Sequence, residues 1–352
     1  MDNSTYNDCN RAFLQAFMAR SSMTFDEAQP VLAAIISAHE GRTVDAEDVT
    51  QELFSSYISS ANTAISPFNF EIRSSLRQIA KDPNHDTTED PPERVYALVN
   101  VHVDALTQLA TTYSPDEIAF VKRVLDFMFV TNNTRIIEGM VITPIQATHL
   151  AKVSSADTNL RRSTNAESQQ NQGGAAQSLT MTQAETMMQN LLVEGWLEKS
   201  QKNYFSLTPR ALMELRSWLS DTYNYVKENG RKVEHIKFCA ACREIITVVR
   251  IACLEDTEKQ ADFDLQGQRC VDRDCLGRLH DHCMHNFFRV QQAEKCPVCK
   301  EDWPGDKFVG ERAVTSASRR QSNNVPRTSQ LHSSAPNGRM ETSDEESEED
   351  EG

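Results

Sequence analysis

The sequence predicts a multidomain chain, mainly α-helical with small β hairpins, in which two helix-and-hairpin units precede a compact domain cross-braced by two zinc ions. Three observations carry this. Eight of the nine cysteines fall in the last third of the 352 residues, most of them in short-spaced pairs, one of which is completed by a histidine. The order of helices followed by a hairpin occurs twice before them. Two stretches with almost no apolar content, 153–178 and 310–352, cannot support a core and read as a flexible linker and a disordered tail.

In the first segment, Phe13, Leu14, Phe17 and Met18 recur at helical spacing over residues 10–20. Thr24 and Glu27 make a capping box that opens a second helix through Leu32, Ile35 and Ile36. A third starts near Ala46 and carries Val49, Leu53, Phe54, Tyr57 and Ile58 on one face. The period then drops to two: Phe68, Phe70 and Ile72 alternate with polar residues, and Val95, Leu98, Val99 and Val101 supply a partner strand. Between these runs lies the polar, proline-bearing KDPNHDTTEDPPER. Three helices and then a hairpin is the order of a winged helix. Ser114, Pro115 and Glu117 announce a further helix with Ile118, Val121, Val124, Leu125 and Met128 on its buried stripe, which places the first domain at 1–152.

After the linker the same order recurs more compactly, over 179–234. Thr182 and Glu185 form a capping box, and Ala184, Met187, Met188, Leu191 and Leu192 follow on one face until Gly195 ends the helix. Trp196-Leu197 and Tyr204 to Leu207 make two short strands around a polar turn, and Thr208-Pro209 starts a helix carrying Leu212, Leu215 and Leu219. This predicts a second winged helix. Such folds often place their third helix in the DNA major groove. Residues 182–194 contain no Lys or Arg, however, and groove binding without phosphate neutralisation is electrostatically poor. A protein-docking role fits better, with contact to DNA mostly indirect.

The formal charge is −15, and the terminal TSDEESEEDEG contributes seven of those negative charges. An acidic body argues against strong nonspecific binding to nucleic acid. No run approaches the length of a membrane span, and the first residues hold no apolar stretch able to serve as a signal peptide, so an intracellular protein is expected. Ser343 and Ser347, each followed by acidic residues, suit an acidophilic kinase.

The domain at 235–305 carries the chemistry. Its pairs are Cys239-x2-Cys242, Cys270-x4-Cys275, His280-x2-Cys283 and Cys296-x2-Cys299. Zinc takes four soft or borderline ligands in a tetrahedron, and eight such residues make two closed centres. Cross-braced assignment gives Cys239, Cys242, His280 and Cys283 to one ion and Cys270, Cys275, Cys296 and Cys299 to the other. Spacing alone also allows sequential pairing. Disulfides are disfavoured by the expected compartment. Cys253 sits in an apolar stretch and reads as a lone buried thiol, while His282 and His285 compete with His280 for one ligand position. Closed centres leave no position for water or substrate, so both metals are structural and function resides in the surface they shape.

Four cysteines, a histidine and three cysteines is the ligand order of RING-like domains, which recruit a ubiquitin-conjugating enzyme, and of PHD fingers, which read histone tails. PHD fingers carry an aromatic residue two positions before the seventh ligand, where this chain has Glu294; RING domains commonly have proline directly after it, here Pro297. RING-like is favoured. The positions matching a RING's docking groove are Ala240, Ala241, Phe287 or Phe288, and Pro297, with Lys300 as the basic residue after the last ligand.

Beyond the zinc ligands, the motifs FLQAFMARSSMTFDEAQ, YALVNVHVDALTQLAT and LLVEGWLEKSQKNYFSLTPRALMEL, with CAAC, CVDRDCLGRLHDHC and CPVCKEDWP, span most of residues 10–304. Together they resemble non-structural maintenance of chromosomes element 1, a RING-like subunit of the Smc five/six DNA-repair complex. The second pair is spaced more widely than in that family, and the spacer around Leu254 to Gln268 is expanded. The resemblance implies a nuclear, chromatin-associated RING-type ubiquitin ligase. The implied partners are a MAGE-like subunit bound through the winged helices, other subunits of that complex, and a ubiquitin-conjugating enzyme. With two alanines in the groove, feeble activity alone is expected. The competing expectation is a structural subunit whose zinc domain only docks partners.

Overall fold

A computed structural model describes residues 6–76, 93–101, 112–152, 178–247 and 267–315. Most of the long polar connection, the linker, Cys253, and the tail with Ser343 and Ser347 lie outside the described residues.

The first unit is built on aromatic side chains. Helix α1 (Asp8–Arg20), capped by the Asn7 side chain, buries Phe13 and Phe17, which meet edge to face at 5.2 Å. Met18 points the other way and is 66% exposed. Strand β1 (Ser22–Thr24) leads into α2 (Phe25–Glu40), where Thr24 and Glu27 form the expected capping box and Gly41, at φ 68°, ends the helix in the left-handed region. Helix α3 (Gln51–Ile65) begins at the Thr50 cap, and Ala46–Asp48 is only a 3-10 turn. Its Phe54 packs edge-on against Phe13 and Tyr96.

Strands β2 (Phe70–Leu76) and β3 (Arg94–Asn100) pair antiparallel with Ile72 opposite Leu98. Phe68, expected in the strand, lies in a turn before it and is 71% exposed. The sheet order is β1-β3-β2, with Ser22 opposite Ala97. Three residues between two helices are too few for a period-two signal, so β1 was invisible in the sequence.

The second unit repeats this order. It runs α4 (Pro115–Asp126), a π-helical turn (Phe127–Thr131), a loop that ends at Ile142, α5 (Pro144–His149), α6 (Met181–Val193), β4 (Leu197–Lys199) and β5 (Phe205–Leu207). Ile142 bridges to Phe205, so the segment before α5 lies beside the last strand, as β1 lies beside β3. Helix α4 was grouped with the first segment by sequence. Its Phe120, Val124 and Leu125 instead share a core with Met187, Leu191, Trp196 and Leu219, while the first unit's core closes without it.

The start of α6 corrects another expectation. Thr180 and Gln183 form its capping box, two residues before the expected Thr182 and Glu185. Both pairs fit the pattern, and the Met181–Thr182 turn joins the helix with its side chains exposed. The paired Met187 and Met188 are core residues. Helices α7 (Pro209–Glu214) and α8 (Arg216–Tyr223) follow, and Tyr223 donates to Asp126 at 2.9 Å, tying α8 back to α4.

A hairpin of β6 (Asn224–Val226) and β7 (Lys232–Glu234) leads to the zinc domain, which holds β8 (Gly267–Arg269), β9 (Arg278–His280) and α9 (Asp281–Gln291). Its Ile236, Ile245, Leu279, Trp303 and Val309 belong to the same core as the second unit. A domain this small gains from sharing a neighbour's core. No helix among the described residues is long and apolar enough to cross a membrane.

Replacing the helix cap at Thr180 by Ala is expected to lower stability by about 1 kcal/mol. The change Thr182→Ala, on an exposed side chain, should stay within about 0.5 kcal/mol of wild type in urea midpoints.

Candidate metal centre and docking face

Two C-x2-C turns with the same backbone start the site. In the first, Cys239 N–H donates to Glu244 O at 2.9 Å and Arg243 N–H to Cys239 O at 3.0 Å. In the second, Cys296 N–H donates to Glu301 O at 2.8 Å and Lys300 N–H to Cys296 O at 3.2 Å. The residue after each second cysteine, Arg243 or Lys300, turns into the left-handed region at φ 64° or 66°. Backbone amides also support the sulfurs: Gly277 N–H donates to Cys275 Sγ at 3.3 Å and Val298 N–H to Cys296 Sγ at 3.4 Å.

The fold gathers Cys239, Cys242, His280 and Cys283 into one cluster and Cys270, Cys275, Cys296 and Cys299 into the other, with the donor atoms of each within 4.8 Å of one another. This is the cross-braced grouping. Sulfurs about 2.3 Å from a tetrahedral zinc ion sit roughly 3.8 Å apart. The distances here are 3.4 Å for Cys270 to Cys299, 3.6 Å for Cys275 to Cys296, and 3.3 Å from Cys242 Sγ to His280 Nδ1. Thiolates packed this closely repel one another, and a divalent cation among them offsets that repulsion. The donor set and spacing fit two structural zinc ions.

His280 supplies Nδ1 to its cluster. His282 stacks on that ring at 5.0 Å, and burial, reinforced by His280, pushes its pKa down to about 4. His285 is exposed on α9, outside both clusters.

The second centre is anchored from behind by residues the sequence did not single out. Gly277 passes so close that a Cβ there would lie 2.4 Å from Cys296 Sγ. The next residue, Arg278, is fully buried. Its guanidinium donates to the carbonyls of Cys275 and Gly277 at 2.8 and 2.7 Å, and to Glu138 Oε2 and Oε1 at 2.8 and 2.5 Å. Lys237 donates to the same carboxylate. Burial alone would raise the pKa of Glu138, but Arg278 and Lys237 outweigh it and hold the group below its ordinary value. Burial pushes the Lys237 ammonium down in turn.

The candidates for docking fall into three groups. Ala240, Ala241 and Phe287 line one open cleft beside the first centre. Phe288 turns inward toward Trp303 at 6.0 Å, and Trp303 donates to Gln268 at 2.9 Å. Pro297 and Lys300 lie in the turn at the second centre, outside that cleft, where Lys300 Nζ donates to Pro297 O at 3.2 Å.

A cross-braced two-centre domain on a helical body defines the class, and residues 262–299 match the family model described as a RING-like domain. Residues 10–215, over half of the chain, match the model of the Nse1 non-SMC component of SMC5-6 complex, and the chain belongs to that family. It is 20% identical over 297 residues to the non-structural maintenance of chromosomes element 1 homolog of Homo sapiens, covering 84% of each chain. The Bos taurus homolog is 21% identical over the same share. A chain of a solved Nse1-Nse3-Nse4 complex has this fold, with a TM-score of 0.56 at 18% identity over 86% of this chain and 99% of that one.

Replacing Gly277 by Ala should lower bound zinc from two ions per chain toward one, measured by metal release on denaturation, because the added methyl displaces Cys296 Sγ. The Glu138→Gln change leaves Arg278 buried without its countercharge and is expected to cost about 3–5 kcal/mol at neutral pH. Because the folded pKa of Glu138 is lowered, its contribution is complete above the ordinary carboxylate range and is lost as pH falls through the folded value. The gap between wild type and Glu138→Gln in denaturation midpoints should therefore narrow below that range.

Proposed function

We propose that this chain is a RING-type ubiquitin ligase subunit of the SMC5-6 complex, acting at chromatin in the nucleus. The observation that carries the reading is the pairing of two closed centres with a cleft beside the first, one wall of which is Ala240, Ala241 and Phe287. Such a domain forms no covalent intermediate. It holds a ubiquitin-loaded conjugating enzyme in a reactive geometry, and the rate gain is one of positioning. Pro297 and Lys300 are assigned to the same partner, Lys300 as a contact to ubiquitin.

The two helical units are read as tandem winged helices. Their shared order, with a short strand or bridge lying beside the last strand, supports this. The boundary between them is drawn before α4, since that helix packs in the second core. Their role is to bind a MAGE-like subunit. The similar solved chain comes from an Nse1-Nse3-Nse4 complex, in keeping with such an assembly. Contact with DNA is mostly indirect.

A second reading is a purely structural subunit. It is favoured by the core that the zinc domain shares with the second unit, which would serve a scaffold equally well. Discharge of a ubiquitin-loaded conjugating enzyme separates the two. Wild type with the MAGE-like partner should accelerate discharge, and Cys296→Ala should abolish the effect; no acceleration in any combination leaves only the scaffold.

A further inference from the structure

We propose that the first helical unit is a movable cover over the docking face of the zinc domain, so that a conjugating enzyme engages only after the unit swings away. The inference rests on the ligase reading of that face. Ala240, Ala241 and Phe287 form one wall of a cleft of about 1170 Å³, and the first unit supplies the facing wall through Phe25, Gln51 and Arg94. A cleft of this size is near the roughly 300–1,000 Å³ of sites that enclose a small ligand. A globular partner instead lays roughly 800 Å² of its own surface, about 20–30 residues, on the face it binds. With the second wall in place, that footprint does not fit.

Two features let the cover move. Its core of Phe13, Phe17, Phe54, Ile72 and Tyr96 closes on itself, so the unit can travel as a rigid body. The buried apolar part of its seat on the rest of the molecule is small, Ala97 and Val99 of β3 resting on Met213 of α7, with the Asn100 N–H bonded to the Glu214 carboxylate beside it. Contacts of this size between units leave relative motion as the default, because only large hydrophobic interfaces suppress it. The other side of the cleft is fixed, since the zinc domain and the second unit share one core. Opening is then a rigid-body motion that breaks the Met213 seat, and a conjugating enzyme that binds only the open form draws the population toward it.

The test uses the full zinc-loaded chain with Met213→Asp, which puts a charge into the seat, and Met213→Ala, which only thins it. The radius of gyration from small-angle scattering reads release of the seat, and discharge of a ubiquitin-loaded conjugating enzyme reads access to the face. Release should enlarge the radius and raise discharge on the order of tenfold for the Asp variant, less for the Ala variant. An enlarged radius with discharge unchanged from a measurable wild-type rate overturns the cover and leaves the ligase reading intact. An unchanged radius in both variants overturns it as well, because the seat is then not what holds the unit. Absence of discharge in wild type and in both released variants, with the MAGE-like partner also present, removes the ligase reading and the cover together. If Met213→Asp loses zinc, Met213→Ala carries the comparison.

Discussion

The buried ion pair between Glu138 and Arg278 is the constraint on which the arrangement of this molecule depends. Arg278 is fully buried, and its donors are divided between the carboxylate and the carbonyls of Cys275 and Gly277. One side chain therefore holds the turn that carries a cysteine of the second centre and ties it to the body. Glu138 is equally committed: Lys237 shares its carboxylate, and its backbone carbonyl accepts from Gly310 N–H at 2.7 Å. A buried pair is weak evidence for stability, because desolvating both charges offsets much of their attraction. It is a strong constraint on geometry, because either charge left alone in that position is costly. The zinc domain consequently has one seating on the body.

That seating explains why the cysteine-rich domain needs no large core of its own. Cross-bracing fixes its loops, and Ile236, Ile245, Leu279 and Val309 pack into the core of the second unit. Metal ligation and folding are coupled in such domains, so disturbance of the second centre is transmitted through Arg278 to the segment around Glu138. The first unit stands apart from this coupling. Its aromatic core is complete, and it meets the second unit where β3 lies on α7, through Ala97, Val99 and Met213 and the Asn100 N–H bonded to the Glu214 carboxylate. The molecule thus has a rigid part and an attached part, and the cleft lies between them.

The zinc centres were the most legible feature of the sequence. Ligand type and short spacing are local properties, and the two clusters follow from them. Helix caps with a unique candidate, at Thr24 and Ser114, were legible for the same reason. Where two candidates lay two residues apart, as at Thr180 and Thr182, the pattern did not choose between them. Strand β1 was too short to show a period. The apolar stripe of α4 marks a buried face, but such a stripe does not record what it packs against, here Met187, Leu191 and Trp196. Glu138 and Arg278 lie 140 positions apart, and nothing in either local sequence marks a charge destined for the interior.

The two C-x2-C turns show how much of a docking face is set by side chains once the backbone is given. Their hydrogen bonds and left-handed closing residues match. What they present differs: Ala240 and Ala241 beside the cleft, Pro297 and the 57% exposed Val298 at the other centre. Large apolar side chains beside the cleft would strengthen docking, but they would also make an exposed patch that binds indiscriminately whenever the first unit swings out. Alanines keep that liability small and limit the apolar area a partner can bury, at roughly 25 cal/mol per Å². A weak face combined with a facing wall makes engagement depend on contacts made elsewhere on the molecule. In a subunit with two helical units, those units are the surfaces available to supply them.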